Sequence, residues 1–273
     1  MSIDLHIHST ASDGSMSPEQ IVKMASCLKF KAIAITDHDT VEGLESALKA
    51  GEKYNLEVIP GIEINTDYKG YEVHILGYFI DYNNKKLLNK MNELKKMRKK
   101  RAYKMVERLN DLNINIDWQD VLDKAKGGSI GRTHIARVIF EQGYVDSPFE
   151  SFEKYIAIDG PAYVKRKKIT PGQAIDLIRT SSGLAVLAHP GIIDNDDIVY
   201  EIINDGIDGI EAIYYEYNKR QIEKYKKLAI DNNLLITGGS DDHGPGNKDG
   251  LRLGKIRIDY EYLQHLKEKI RKR

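Results

Sequence analysis

Cysteine is almost missing from this 273-residue chain, in which Cys27 stands alone. One thiol closes no internal disulfide and builds no Cys-rich zinc module or iron–sulfur site, so any metal must be held by imidazoles and carboxylates. Net charge is missing too: 41 Lys+Arg cancel 41 Asp+Glu, although 30% of the residues are charged. That balance argues against the global basic field that holds long duplex nucleic acid. No apolar run approaches the ~20 residues that span a bilayer, so membrane embedding is not expected. The opening residues Met1-Ser2-Ile3-Asp4-Leu5-His6 contain neither a basic segment nor an apolar stretch. They do not read as a secretory signal, and the expected compartment is the cytoplasm. Neither a Walker-type glycine loop nor a Gly-x-Ser-x-Gly elbow occurs, which disfavours transfer driven by a nucleoside triphosphate and acyl-serine chemistry. What the chain does hold is eight histidines.

From residue 1 to about 80, β-rich runs alternate with helical patterns. Ile3–His8, Lys31–Thr36, Leu56–Ile64 and Tyr71–Phe79 read as strands, and Ser17-Pro18-Glu19-Gln20 opens a helix with a Ser cap and Pro in its first turn. Ala32-Ile33-Ala34-Ile35 is apolar at every position, as a parallel strand covered on both faces should be. Between about 85 and 180 the pattern turns helical, beginning with a long helix over Lys85–Leu109. Its basic run Lys95 to Arg101 reads as a solvated face, because Glu93 and Glu107 lie close by. Strands resume at Gly183–Ala188, Gly209–Ile213 and Leu234–Gly238. Seven strands in βα alternation predict an α/β fold with a closed or distorted barrel from residues 1–84 and 181–273, carrying an inserted small helical domain over 85–180. A strand Gly254–Ile258 and a helix from Tyr260 are peripheral, and Cys27 is expected in the core.

The histidines concentrate at predicted strand ends, where parallel α/β architectures assemble their chemistry. His6 and His8 are two apart on the first strand, so both face one side and can chelate one ion. Asp13 follows in a turn; Thr36-Asp37-His38 ends the second strand; Glu63 and His74 lie on the third and fourth; His189 and Asp241-Asp242-His243 follow later strands. A lone buried histidine is usually a satisfied core residue. Six of them with three carboxylates would be expensive to bury without divalent metal. Nine groups exceed the needs of one ion, so two or three are implied, and Zn, Mn or Fe(II) all suit a thiolate-free donor set.

These residues resemble the PHP (polymerase and histidinol phosphatase) family, through His6-x-His8, Thr36-Asp37-His38, Glu63, His74, Ala188-His189-Pro190 and Asp241-x-His243. The resemblance implies a distorted (β/α)7 barrel, the PHP fold, with a trinuclear site. It would place one metal on His6, His8, Glu63 and Asp241, a second on Glu63, His74 and His189, and a third on Asp13, His38 and His243. All nine positions are filled by ligand-competent residues. Asp37 and Asp242 are expected to orient ligating histidines. Adjacent metals can activate a hydroxide and hold phosphoryl oxygens, so phosphoester hydrolysis follows. Metal-bound imidazole is a poor proton donor, which leaves protonation of the leaving group to water or the metals.

The insertion resembles the subgroup that includes 3′,5′-nucleoside bisphosphate phosphatases and a 5′-to-3′ exoribonuclease, through Gly131-Arg132-Thr133-His134 and Gly160-Pro161-Ala162-Tyr163-Val164. Arg132 follows glycines Gly127, Gly128 and Gly131 and precedes a helix start, where a guanidinium and free backbone N–H groups can grip an anion; His134 could add a hydrogen bond or stack on a base. Lys165, opening the run Lys165 to Lys168, is a second candidate phosphate contact. The expected substrate is a small phosphorylated nucleotide, a 3′,5′-nucleoside bisphosphate, or the 5′ end of a short RNA. Alternatives are a histidinol-phosphate or sugar-phosphate phosphatase and, from another class, a non-catalytic metal-binding accessory module.

Overall fold

The computed structural model describes residues 2–125, 130–165, 169–245 and 250–273. Gly127, Gly128, Arg166, Lys167 and Lys168 lie outside the described residues. The strands are β1 Ser2–Asp4, β2 Ala32–Ile35, β3 Glu57–Tyr68, β4 Tyr71–Tyr78, β5 Leu184–Leu187, β6 Gly209–Tyr214, β7 Leu235–Gly239 and β8 Ile258–Asp259. They form one sheet in the order β7-β6-β5-β4-β3-β2-β1-β8. Beyond β1 the chain continues along the far edge of that sheet. Leu5 N–H donates to Gly238 O at 3.2 Å, His8 N–H donates to Asp242 O at 2.9 Å, and Ile7 bridges Asp242 in parallel. The sheet is therefore nearly closed.

The distortion lies in one strand. β4 pairs antiparallel with β3 from Gly61↔Tyr78 to Tyr68↔Tyr71, and antiparallel with β5 from Ile75↔Leu187 to Tyr78↔Leu184. The turn between β3 and β4 has two residues, Lys69 at φ 53 and Gly70 at φ 89. Two positive φ values in succession match the twist of the flanking strands, which is why such turns favour hairpins. Running backwards, β4 brings its N-terminal half to the end of the barrel where β2 and the other parallel strands terminate. His74 thereby reaches the level of Glu63.

The helices of this unit are α1 Pro18–Cys27, α2 Leu44–Tyr54, α7 Pro171–Thr180, α8 Asp196–Asn204, α9 Lys219–Asp231 and α10 Tyr260–Arg271. Ser17 and Gln20 form the capping box that starts α1. Its buried stripe is Pro18, Ile21, Val22 and Ala25. Cys27 falls off that stripe, two residues beyond Ala25 and turned by about 200°, and is exposed rather than a core residue. All four residues of β2 are buried, and the barrel interior packs Ile3, Leu5, Ala34, Leu76, Leu184 and Val186 together. β8 is only two residues long, against the five expected, and pairs antiparallel with β1.

Two compact units emerge, one of residues 1–89 with 168–273 and one of 90–167. α7 packs on β3, β4 and β5 and belongs to the sheet unit, although it lies inside the stretch 85–180. The helical unit contains most of α3 Lys85–Asp111, then α4 Trp118–Ala125, α5 Arg132–Glu141 and α6 Pro148–Ser151, the last continued by a π turn over Phe152–Ile156. Its own core joins Met105, Leu109, Val121, Ile135, Ile139 and Ile156. Among the described residues no helix is long and apolar enough to cross a membrane.

Candidate metal centre

At the end of the barrel where the parallel strands stop, the six histidines and three carboxylates singled out above converge. His6 and His8, on alternate residues of one extended segment, face the same side. Their Nε2 atoms lie 3.4 and 3.3 Å from Glu63 Oε2, and 3.4 and 3.0 Å from Asp241 Oδ1. The other Glu63 oxygen, Oε1, is 2.9 Å from His74 Nδ1 and 3.1 Å from His189 Nε2. His38 Nδ1 sits 2.8 Å from Glu63 Oε2, while its Nε2 is 3.9 Å from Asp13 Oδ2. His243 Nε2 is 3.4 Å from Asp13 Oδ1. Glu63 is thus the hinge of the constellation, with each oxygen turned to a different set of rings.

Four overlapping groups have donor atoms within 4.8 Å of one another: His8, Asp13, His38 and His243; His6, His8 and Asp241; His6, Glu63 and His189; His38, Glu63 and His74. Several of these atoms are buried without a hydrogen-bond partner, namely His6 Nε2, both ring nitrogens of His8, Asp13 Oδ1 and Glu63 Oε2. A buried polar atom left unpaired costs on the order of 1–3 kcal/mol. So many gathered within a few ångströms of one another is what a site for cations requires, and the donor set, imidazole and carboxylate without thiolate, fits divalent Zn, Mn or Fe.

Electrostatics agree. Burial opposes ionisation of Glu63, yet the His38, His74 and His6 imidazoles hold its carboxyl well below the usual range. Asp13 and Asp241 are lowered in the same way, against burial, by His38 with His243 and by His6 with His8. The three carboxylates are anions ready to bind. His74 and His243 rise to about 9 and about 10, burial being outweighed by Glu63 and by Asp13 respectively. Burial and the adjacent His243 and His38 push His8 down to about 3, so its ring is neutral.

The supports of this cluster differ in part from expectation. Glu211, on β6, is the carboxylate that orients histidines: its Oε1 is 3.0 Å from His6 Nδ1, and its Oε2 accepts from His189 N–H at 2.8 Å. Parallel pairing of β5 with β6, Leu187 opposite Ile210, brings it there. Asp37 instead accepts from Ser9 N–H, Ser9 Oγ and Ser12 Oγ, each at 2.7 Å. It staples the loop that carries Asp13, because its side chain points back under the first strand rather than toward a ring. Asp242 accepts from Arg252 N–H at 2.6 Å and also leaves the histidines alone. Asn65 Nδ2 lies 3.1 Å from His38 Nδ1, and Tyr214 Oη donates to Asp241 Oδ2 at 3.0 Å. Neither contact has a spacing signal in the sequence, since both depend on strand register.

Backbone detail also serves the cluster. Asp241 and His189 take positive φ, 51 and 25, a strained choice for residues with side chains. At Gly239 a Cβ would come within 2.2 Å of His6 Cβ, so only glycine lets β7 approach the first strand this closely. A cavity of about 480 Å3 opens beside the rings, lined by His38, Glu63, His74, His189 and Asp241 together with Tyr71 and Ile192.

The remaining candidates belong to the helical unit. Arg132 is the first residue of α5 behind its cap Gly131; its guanidinium donates to Ile156 O at 3.3 Å and stands 5.6 Å over the Phe152 ring. His134 Nδ1 accepts from Gly131 N–H at 3.0 Å, which makes it part of the helix start. Lys165 is exposed. His265, on α10, lies apart, 4.0 Å from Glu261.

Comparison with known proteins places this geometry. The 5′-3′ exoribonuclease Rnm of Salmonella typhimurium is 34% identical over 249 residues, which covers 89% of this chain and 85% of that protein. The 3′,5′-nucleoside bisphosphate phosphatase of Chromobacterium violaceum is 30% identical over 255 residues, 89% and 88% of the two chains. A solved structure from Bifidobacterium adolescentis, described as a metal-dependent phosphoesterase, superposes with a TM-score of 0.88 at 30% identity, over 97% of this chain and 94% of that one. The PHP domain signature matches residues 4–237, nearly all of the barrel together with the insertion, and the chain therefore belongs to the PHP domain family.

Proposed function

We propose that the chain is a nucleotide phosphoesterase that hydrolyses a phosphate monoester of a 3′,5′-nucleoside bisphosphate and trims 5′-phosphorylated short RNA. The observation that carries this reading is the set of buried donor atoms left without partners around Glu63. His6, His8, Glu63 and Asp241 would hold one divalent ion, Glu63 with His74 and His189 a second, and Asp13 with His38 and His243 a third. Bound there, Mn, Zn or Fe would supply Lewis-acid charge for the phosphoryl oxygens and a nucleophile at neutral pH.

The protein's own residues do the rest. Glu211 and Asn65 fix ring orientation, which decides which nitrogen faces the centre. The 480 Å3 cavity has room for a phosphorylated nucleoside, and Tyr71 and Ile192 give it an apolar wall for the sugar or base. In the helical unit, Arg132, with no carboxylate partner among the described residues, is the candidate grip for a second phosphate, and His134 and Lys165 are its candidate companions. Relatives named for a bisphosphate and for an RNA 5′ end support a substrate with more than one phosphate.

The test is phosphate release from adenosine 3′,5′-bisphosphate, from a 5′-phosphorylated RNA and from histidinol phosphate, on protein whose metals have been quantified. Release from the two nucleotide substrates should vanish on chelation. Arg132→Ala should impair the bisphosphate far more than a monophosphate. Turnover confined to histidinol phosphate would sink the nucleotide reading, and turnover retained by His8→Ala and Asp241→Asn would sink the metal site.

A further inference from the structure

Helix α3 carries a dense run of cations, Lys95 to Arg101, and the fold gives part of it something to surround. A cavity of about 340 Å3 lies wholly inside the helical unit, with Arg98, Lys100, Arg101 and Lys104 on one wall and Lys165 on another. The α3 residues recur at spacings of three and four, so a single helix face presents them. Leu94, Met97 and Val164 make an apolar floor, and no carboxylate among the described residues lines the cavity.

Neighbouring guanidiniums are equally unbalanced. Arg101 Nε donates to Val164 O at 2.6 Å, and Arg108 donates to Tyr163 O. Those partners are backbone carbonyls, which carry only partial charge. Arg101 and Arg132 both stand over the Tyr163 ring, at 5.4 and 6.0 Å. Burial, with the charges of Arg132 and Arg98 nearby, pulls the Arg101 guanidinium below its usual pKa. Lys100, Lys104 and Lys165 make no ion pair or hydrogen bond with another described residue. In a chain of zero net charge this excess is local, and like charges so close repel until an anion enters.

We infer that this cavity binds single-stranded RNA, with backbone phosphates on the lysines and a base against the apolar floor. An inorganic polyanion would use the rim alone. Cationic rims joined to apolar or aromatic platforms mark sites for single-stranded nucleic acid. Tyr103, one residue from Lys104, adds an exposed ring, 45% accessible and edge-on to Trp118. The inference rests on the nucleotide reading above and deepens it, since it gives the RNA strand a binding site of its own on the helical unit, separate from the cavity beside the metal centre.

The experiment is fluorescence anisotropy on the full, metal-loaded chain with a 3′-labelled 12-mer RNA whose phosphorothioate linkages resist hydrolysis. Replacing Lys100, Lys104 and Lys165 by Gln should weaken binding about tenfold or more near 0.1 M salt. The slope of log affinity against log salt should flatten by about 2, from three contacts at about 0.7 each on a single strand. Arg at the same three positions should restore both. Wild-type affinity and slope in the Gln variant would overturn the inference, as would inorganic tripolyphosphate binding the wild-type chain as tightly as the 12-mer. Because binding is read without turnover, failed phosphate release leaves this result standing; the variant with Gln at Lys100 and Lys104 alone, Lys165 being kept, should lose RNA affinity while it still releases phosphate from adenosine 3′,5′-bisphosphate.

Discussion

Each unit of the molecule gathers ionisable side chains in one place, and the two gatherings obey opposite rules. In the barrel, carboxylates and imidazoles interleave, so each of the cluster's three carboxylates, Glu63, Asp13 and Asp241, has rings within about 4 Å. In the helical unit, Arg101 and Arg108 donate to backbone carbonyls, and among the described residues no carboxylate lines the cavity that Arg101 shares with Lys100, Lys104 and Lys165. Interleaved charges define positions for a small, hard cation. A one-signed cluster defines only a potential, which suits a flexible polyanion whose phosphates need not sit at fixed points. The difference separates a site built for chemistry from one suited to holding.

The comparison breaks most completely at its centre. Glu63→Gln keeps the shape of the side chain and removes the charge that both halves of the cluster share. Turnover should fall by about 10^3-fold or more, the equivalent of several kcal/mol of lost charge stabilisation. Metal content, measured on the purified variant, should fall with it. Full stoichiometry and normal turnover in this variant would remove Glu63 from the centre.

Proton linkage is the next largest effect. Before metal enters, His74 and His243 hold protons up to about pH 9 and about pH 10. Imidazole binds metal only as the neutral ring, so binding at pH 7 must expel those protons, and affinity should fall as pH falls, by up to about tenfold per unit for each proton displaced. His8, at about 3, releases none. Calorimetry in buffers of different ionisation heat counts the protons, and a count of zero would contradict the interleaved arrangement. The same shifts act on the metal-free fold. Both folded-state values lie above the ordinary imidazole value of 6.5, so their stabilisation is complete below about pH 6.5 and is lost as pH rises through about 9 and 10.

How far the cluster was legible beforehand depends on what each residue needs. His6 and His8 needed only the period of two along a strand, and Asp241 and His243 needed only a strand end. Most β-strands and helix boundaries likewise followed from apolar patterning and caps such as Ser17 with Gln20, while the first strand, expected over Ile3–His8, is Ser2–Asp4 and the last, expected over Gly254–Ile258, is Ile258–Asp259. Glu211 needed the register of β6 against β5, which no local pattern encodes. Asp37 sits beside His38 in sequence yet serves Ser9 and Ser12, because neighbours along an extended chain point to opposite sides. The direction of β4 turned on one two-residue turn, and a basic run that reads as solvated becomes the wall of a cavity only when Lys165 arrives from a distant segment.

Glu211→Gln tests the concealed part of the centre. The amide keeps a hydrogen bond to either His6 or the His189 backbone but loses the charge that polarises the His6 ring. Metal affinity should weaken about 10- to 100-fold, as it does when a ligand's orienting partner is altered. Equilibrium competition against a chelator measures this apart from turnover. Unchanged affinity would reduce Glu211 to a packing residue.

The smallest effect runs the other way and sharpens the contrast between the two units. Lys104 lies within a helical turn of Lys100, Arg101 and Arg108, against one carboxylate, Glu107, at i+3. Like-charge pairs at that spacing cost about 0.2–0.5 kcal/mol each, and opposite pairs return about as much. Lys104→Glu turns three unfavourable pairs favourable and one favourable pair unfavourable, and should therefore stabilise the chain by roughly 0.8–2 kcal/mol at low salt, a gain read as a raised melting temperature that fades toward about 1 M salt, where the Debye length is near 3 Å. In the barrel the equivalent reversal, a carboxylate in place of a ring, should destabilise, because there each charge already has its opposite. If Lys104→Glu destabilises instead, the helical cluster is balanced by partners of its own. If it stabilises while RNA binding falls, the repulsion is a cost the fold carries to keep a surface ready for phosphate.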